Sequence, residues 1–189
     1  MTAMTLLQPV RQPRHGRYAV KMQIDSITNQ QVRQFYALYW PQREILHDFF
    51  NRLSESQFDF RMVATPERRA DTPRESLAHI LYVQLVYFDA VKSGTLEFKS
   101  LGVEHYREMT KAQLLAEWER IDEEMFAHLT GDGFDSNSHV AVFWGGDTNA
   151  IEVLYFLRDH AILHVGWNLA LMDHLKMPRF DSLIRYWGP

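Results

Sequence analysis

Apolar side chains recur along this chain at intervals of three and four residues, the spacing that places them on one face of an α-helix. The first such stretch runs from about Ser26 or Thr28 to about Leu53. Pro41 lies inside it and predicts a bend, because a proline removes one backbone hydrogen bond from a helix. The apolar face of this first predicted helix comprises Val32, Phe35, Tyr39, Leu46, Phe49 and Leu53.

Capping signals mark the start of two further helices. Thr72 is followed by a proline and, three residues on, by Glu75, which is the pattern of a capping box, and Gly94 ends this second helix. Thr110 and Gln113 repeat the pattern at the start of a third helix. Both segments carry apolar residues at helical spacing, so each is predicted to pack one face on a core.

The fourth predicted helix begins near Thr148 or Asn149 and runs to about Met177, where Pro178 stops it. It is apolar on nearly every side, which is typical of the most enclosed helix of a bundle. The segment His139–Trp144 before it is predicted to be short and extended or irregular.

The four helices are separated by polar connectors over residues 54–71 and 95–109, and strand signals are nearly absent. The simplest architecture is therefore an all-α four-helix bundle with long connectors and a short irregular or extended segment before the fourth helix. The tail, residues 180–189, is expected to fold back on the bundle.

Composition limits the function further. The chain has 189 residues, 46% of them hydrophobic, which suits one domain with a sizeable core. Without cysteine, the protein has no disulfide, thiolate metal ligand or cysteine nucleophile. A formal net charge of -4 gives no basic field for nucleic acid, and no apolar run reaches the ~18 residues of a membrane span. We expect a cytoplasmic protein with neither nucleic-acid nor membrane partners.

The predicted bundle occupies residues 25–189, preceded by an N-terminal arm at residues 1–24. The arm contains four basic residues, no acidic residue and no continuous apolar segment of the kind that a secretory signal has. Met22 precedes a more typical domain opening, so Met1 and Met22 are both candidate starts. We expect the arm to pack on the bundle or on a second subunit.

Three histidines form the candidate metal site. His160 and His164 are four residues apart on the fourth helix, so their side chains lie on one face and can converge on one ion. His79 lies on an apolar face of the second helix, where an unpaired histidine would be costly. If these helices are neighbours, the three imidazoles can hold one divalent transition metal with an open position for water or substrate. The alternative is that the histidines satisfy core or surface contacts without metal.

Polar residues near the histidines are candidate catalytic groups. Glu75 lies one turn before His79, and Asp159 is next to His160. Each is a candidate general base, although a capping box explains Glu75 and an ion pair would explain Asp159. The candidate wall of a substrate pocket, which could equally be bundle core, is formed by Tyr82, Trp167 and Asn168.

The stretch from Phe143 to Gly188 resembles the last third of the DinB/YfiT-like family. The matching segments are Phe143-Trp144-Gly145, Asp159-His160-Ala161-Ile162-Leu163-His164-Val165-Gly166, Pro178 and Arg185-Tyr186-Trp187-Gly188, and Ser76-Leu77-Ala78-His79-Ile80 resembles the family's second-helix histidine segment. The resemblance extends over residues 25–189.

This resemblance implies a four-helix bundle, often a homodimer, in which the second and fourth helices present a three-histidine site for zinc or nickel. Members are described as metal-dependent hydrolases, and some relatives are S-transferases that use low-molecular-weight thiols such as bacillithiol or mycothiol. Val165 and Trp167 depart from the family pattern, which often has an arginine and a glutamine there. The implied function is therefore a metal-dependent hydrolase or thiol S-transferase with a small-molecule substrate, and the alternative is a non-catalytic metal-binding or stress-related bundle protein.

Overall fold

A computed structural model describes residues 24–98, 102–146 and 148–188 of the chain. The elements in chain order are α1 (Gln30–Arg52), α2 (Glu55–Phe58), α3 (Pro73–Ser93), β1 (Thr95–Leu96), α4 (Gly102–Arg107), α5 (Lys111–Thr130), β2 (Ala141–Val142), α6 (Ala150–His174) and α7 (Asp181–Trp187). The long helices α1, α3, α5 and α6 are the four predicted ones, which confirms the all-α bundle. The predicted N-terminal arm, with Met1 and Met22, lies outside the described residues except for Ile24.

The four long helices form a square in which each has two neighbours. α6 packs between α1 and α3, and α5 packs between the same two helices on the opposite side. Contacts between His79 and His160 and between Ser76 and His164 show that α3 and α6 run antiparallel. The second and fourth predicted helices are therefore adjacent, as the three-histidine hypothesis requires.

Helices α3 and α5 run parallel, because Arg74 contacts the backbone oxygen of Met109 near one end while Gln84 contacts Trp118 further along both helices. Parallel helices that follow each other in the chain require a connection that returns along the bundle. The connector after α3 makes this return, and it contains β1 and α4, neither of which the hydrophobic pattern predicts. Strand β1 pairs in parallel with β2, which lies inside the predicted extended segment.

Helix boundaries follow the capping signals closely. Capping boxes start α3 at Thr72 and α5 at Thr110, as predicted, and a third box starts α6 at Asn149. α6 ends at His174, three residues before the predicted end, because Lys176 adopts a positive φ of 53° that breaks the helix. α1 continues through Pro41 without interruption.

The expectation that the fourth helix is the most enclosed one is wrong. Leu163 of α6 is 73% exposed and Ile162 is 37% exposed. In a square bundle each helix has only two neighbours, so a helix that is apolar all round leaves part of its surface open. The exposed side of α6 lies beside the histidine pair.

A buried polar network joins α1, α3 and α5 on the side of α3 that faces away from α6. Arg43 donates to Asp122 at 2.6 Å, and Gln84 donates to the same carboxylate at 2.7 Å. The Gln84 carbonyl accepts from the Trp118 indole at 2.6 Å and from the Tyr39 hydroxyl at 3.1 Å. All five side chains are buried, and these contacts satisfy both ends of the Gln84 amide. The hydrophobic pattern gave no indication of this network.

The tail folds back onto α1 through polar contacts of α7. Ser182 donates to Asp48 at 2.7 Å, and both Arg185 and Tyr186 donate to Glu44, at 2.9 Å and 2.8 Å.

Among the helices of the described ranges, none combines the length and apolarity that a membrane crossing requires.

Candidate metal centre

The structure brings His79, His160 and His164 together at the contact between α3 and α6. The Nε2 atom of His160 lies 3.1 Å from that of His79 and 3.2 Å from that of His164. One ligand nitrogen from each ring lies within 4.8 Å of the other two. The three side chains are half-buried, so the centre is at the edge of the core and within reach of solvent.

Neighbouring small and apolar residues fix the position of these histidines. Ala78 and Ile80 flank His79 and are both buried, which turns the imidazole toward the edge of the α3–α6 contact. On α6, Ala161 and Val165 each follow a histidine and are buried against the bundle. Because neighbours along a helix point about 100° apart, burial of these residues places the imidazoles at the helix–helix boundary.

Burial keeps the imidazoles in the neutral form that binds metals. Desolvation, with smaller contributions from the neighbouring rings, lowers the pKa of His164 to about 3 and that of His160 to about 4. The pKa of His79 is also lowered, chiefly by burial; Arg107 acts in the same direction and Asp71 opposes it. At neutral pH the three rings therefore carry lone pairs and do not repel a cation.

Ser76 supports the ligand orientation of His164. Its hydroxyl oxygen lies 3.1 Å from Nδ1 of His164, which leaves Nε2 of that ring directed at the other two histidines. A hydrogen bond to the second nitrogen of a metal-binding histidine commonly fixes its tautomer and orientation. Sequence reasoning did not select Ser76, although it lies three residues before His79 and therefore on the same side of α3.

The donor set fits a divalent transition metal. In a tetrahedral site with bonds of ~2.0 to 2.1 Å, ligand nitrogens are about 3.3 Å apart, close to the two separations observed here. Neutral imidazole is a suitable ligand for zinc, nickel, copper and iron. Among the residues that the structure describes, the cluster contains three potential ligands and no fourth. That number corresponds to a site with an open coordination position.

Glu75 is fully engaged by other groups. Its carboxylate accepts from the Thr72 N–H at 2.8 Å as the capping box requires, and it pairs with Arg61 and Arg69, each at 2.8 Å. Burial raises its pKa, but the hydrogen bonds from Arg61 and Thr72 and the nearby positive charges outweigh burial and lower it to about 2. These contacts match the capping role more closely than that of a general base.

The structure places Asp159 on the exposed surface of α6. Its carboxylate accepts from Arg158 at 2.9 Å and is 55% exposed. Two charged residues that sequence reasoning did not select act on the centre instead: Asp71 and Arg107 both interact electrostatically with His79. Both lie in connectors, where helical spacing gives no indication of proximity.

The three predicted pocket residues have different environments. Tyr82 is half-buried and lines an open cleft of about 540 Å³ that runs along α3 toward β1 and α4. Trp167 is half-buried on α6. Asn168 is only 3% exposed, and within the described part of the chain neither its amide nitrogen nor its carbonyl oxygen has a hydrogen-bond partner.

A model of the DinB superfamily matches residues 41–167, which is more than half of the chain. The chain belongs to the DinB superfamily. The matched range contains His79, His160 and His164, and it confirms the family indicated by the sequence motifs. No curated protein sequence gives a significant match to this DinB-superfamily chain.

Proposed function

We propose that this DinB-superfamily protein is a metal-dependent enzyme that transfers a low-molecular-weight thiol to an electrophilic small molecule. His79, His160 and His164 would hold one divalent transition metal, zinc or nickel. The observation that supports this proposal is the convergence of three Nε2 atoms without a fourth protein ligand among the described residues. An open position is typical of catalytic sites, whereas structural zinc sites are closed by four protein ligands.

When bound, such an ion lowers the pKa of a coordinated thiol or water and so supplies a nucleophile near neutral pH. A free thiol has a pKa of ~8.5, far below that of water, so its deprotonation needs little further help from the protein. Because the chain has no cysteine, the thiol would be a cosubstrate. The capping and ion-pair contacts of Glu75 and the exposure of Asp159 favour this chemistry over one that needs a general base from either residue.

Metal-dependent hydrolysis is the second candidate function. The observation that favours it is the electrostatic effect of the Asp71 carboxylate on His79. The negative charge of Asp71 acts on His79 and opposes the larger effect of burial, which lowers the pKa of that imidazole. In a hydrolase such a carboxylate would accept the proton of the attacking water. Asp71→Asn would then lower hydrolytic activity, whereas thiol transfer would be nearly unchanged.

Metal binding is the first property to test. We expect protein purified without a histidine tag to bind close to one equivalent of zinc or nickel. A four-ligand site provides ~10 to 16 kcal/mol, roughly 3 kcal/mol per ligand, so His160→Ala should weaken binding more than a hundredfold. His174→Ala is the matched control, because His174 lies on the same helix but is exposed beyond the centre. Equal affinities of the two variants would contradict the proposed ligand set.

Activity then separates the chemistries. The metal-loaded protein would be assayed with alkyl and aryl electrophiles in the presence of a panel of small thiols, and separately with esters and amides. Thiol-dependent turnover that is lost in His160→Ala supports the S-transferase, and thiol-independent cleavage supports the hydrolase. Stoichiometric metal without turnover in either assay would indicate a non-catalytic metal-binding protein. We also propose that the enzyme is a homodimer, and sedimentation velocity would test this by measuring the mass of the species in solution.

A further inference from the structure

A continuous series of aromatic contacts runs from the helix that carries His79 to the helix that carries His160 and His164. Successive ring centroids are 6.3 Å apart for Tyr82 and Phe98, 5.8 Å for Phe98 and Phe143, 4.7 Å for Phe143 and Trp144, and 5.7 Å for Trp144 and Phe156. We call these five residues the aromatic arc. The first belongs to α3, the last to α6, and the other three follow the two short strands.

Helical spacing places the aromatic arc next to the metal centre. Tyr82 follows His79 by three residues on α3, and Phe156 precedes His160 by four residues on α6, so each shares a helix face with a histidine. Because α3 and α6 are antiparallel, both displacements point toward the same end of the bundle. The aromatic arc therefore crosses from one helix to the other about one turn from His79 and His160.

The pairing of β1 with β2 holds the central rings in place. Phe98 follows β1 by two residues, and Phe143 directly follows β2, so the parallel ladder brings the two connectors together. Gly145 and Gly146, with φ of 79° and 100°, turn the chain immediately after Trp144, a backbone conformation that favours glycine. The central rings are thus fixed by backbone structure at the surface.

Exposure of these rings is unusual for residues of their size. Phe143 is 70% exposed, Trp144 is 50% exposed and Phe98 is 44% exposed. Contiguous exposed apolar surface commonly marks a binding site. Along the arc from Phe98 to Phe156 the ring planes meet at 74 to 83°, so neighbouring rings touch edge to face and part of their faces stays open to a flat ligand.

We propose that the aromatic arc binds a flat apolar group, such as an aromatic ring, of the small molecule whose reactive group reaches the three histidines. This inference rests on the proposed metal-dependent function and adds the substrate class. A small molecule is the occupant that this placement favours, because the aromatic arc lies about one helical turn from His79 and His160, a distance that one small ligand can span. Tyr82, alone among the arc residues, also lines the cleft of about 540 Å³, a volume typical of small-ligand sites. Phe143 and Trp144, the most exposed members, would contribute most to specificity.

Two hydroxamates that share a metal-binding head provide the test. Benzohydroxamate carries a phenyl ring and acetohydroxamate carries only a methyl group, and their dissociation constants for zinc-loaded protein would be measured by calorimetry. We expect benzohydroxamate to bind at least about tenfold more tightly, because its ring is buried against the exposed aromatic rings. In the double variant Phe143→Ala, Trp144→Ala this preference should fall to about twofold or less, with the affinity for acetohydroxamate unchanged.

The matched control is Trp187→Ala, since Trp187 is 47% exposed on α7, outside the aromatic arc. This variant should keep the full preference for benzohydroxamate. An undiminished preference in the double variant would overturn the inference. The inference would also be overturned if the double variant lost self-association but kept its preference for benzohydroxamate. The aromatic arc would then be an interface between copies of the chain.

Saturation-transfer NMR on metal-free protein distinguishes failure of this inference from failure of the proposed function. We expect the phenyl protons of benzohydroxamate to receive saturation from the wild type and the signal to fall severalfold in the double variant. If the wild type gives this signal while zinc leaves its affinity for both hydroxamates unchanged, that result would support the aromatic site and contradict the metal-dependent function. Absence of the signal from the wild type would refute the aromatic site, whether or not zinc changes the hydroxamate affinities.

Discussion

Acidification should destabilise the metal-free protein through the histidine pair on α6. Burial and the neighbouring rings lower the pKa of His160 to about 4 and that of His164 to about 3, whereas an unfolded chain gives histidine a pKa of ~6.5. At pH 5 the unfolded chain therefore binds protons at these positions that the folded protein does not bind. Stability rises with pH wherever the unfolded state binds more protons, so it falls as the pH drops below ~6.5.

The size of this effect follows from the same pKa values. A single histidine with a folded-state pKa of about 3 or about 4 lowers the free energy of unfolding by about 2 kcal/mol between pH 8 and pH 5. The conversion uses about 1.4 kcal/mol for each pKa unit. The two rings lie 3.2 Å apart, and part of the shift of His164 comes from repulsion by charge on His160 and His79, whereas His160 is shifted by burial and by His79. The combined loss should therefore fall between about 2 and 4 kcal/mol, with His79 adding to it in the same direction.

Urea denaturation at pH 8 and pH 5, in the presence of a chelator, measures this loss directly. The double variant His160→Gln, His164→Gln removes both titrating rings, so its stability should change by about 2 to 4 kcal/mol less than that of the wild type over this interval. His174→Gln, on the exposed end of the same helix, serves as the control and should behave like the wild type. Equal losses of stability in the double variant and the wild type would show that the histidines are not buried in the neutral form.

Three other substitutions test the supporting structure. Ser76→Ala removes the hydrogen bond to Nδ1 of His164 and should weaken zinc binding about 10- to 100-fold in a chelator competition assay; unchanged affinity would show that this contact does not orient the ring. Asp122→Asn takes the charge from the buried partner of Arg43 and should lower the free energy of unfolding by about 3 kcal/mol, whereas a change below about 1 kcal/mol would contradict a fully buried ion pair. Thr72→Ala removes the α3 cap and should lower the free energy of unfolding by about 1 kcal/mol while the zinc affinity is retained. If zinc binding lost more free energy than folding did, the cap would position the centre directly.

Local signals in the sequence were sufficient for the helices. The capping boxes at Thr72 and Thr110 satisfy backbone donors within four residues of sequence, so their pattern does not depend on the rest of the fold. The same is true of the spacing of His160 and His164, which places both rings on one face of any helix. For this reason the helix starts and two of the three histidines could be identified without knowledge of the tertiary structure.

Features that depend on the packing of distant segments gave no comparable signal. A strand of two residues, such as β1 or β2, is too short to show an alternating pattern. Ser76 is one of several serines until α6 places His164 beside it. Asp71 stands directly before the cap of α3 and outside the helix, so helical spacing does not indicate that it acts on His79. Even the adjacency of α3 and α6 came from the family resemblance, since spacing along the chain does not tell which helices are neighbours.

Helix α3 connects the metal centre to the buried polar network. Gln84 follows His79 by five residues, which turns its side chain by about 140° around the helix axis, away from α6 and toward α5. There its amide is satisfied by Asp122 on one end and by Trp118 on the other. Rotation of α3 by one residue, about 100°, would leave this buried amide without partners and would also move His79 away from the α6 histidines. The network therefore penalises rotation of α3 about its axis, and the orientation that satisfies Gln84 is also the one that assembles the three-histidine centre.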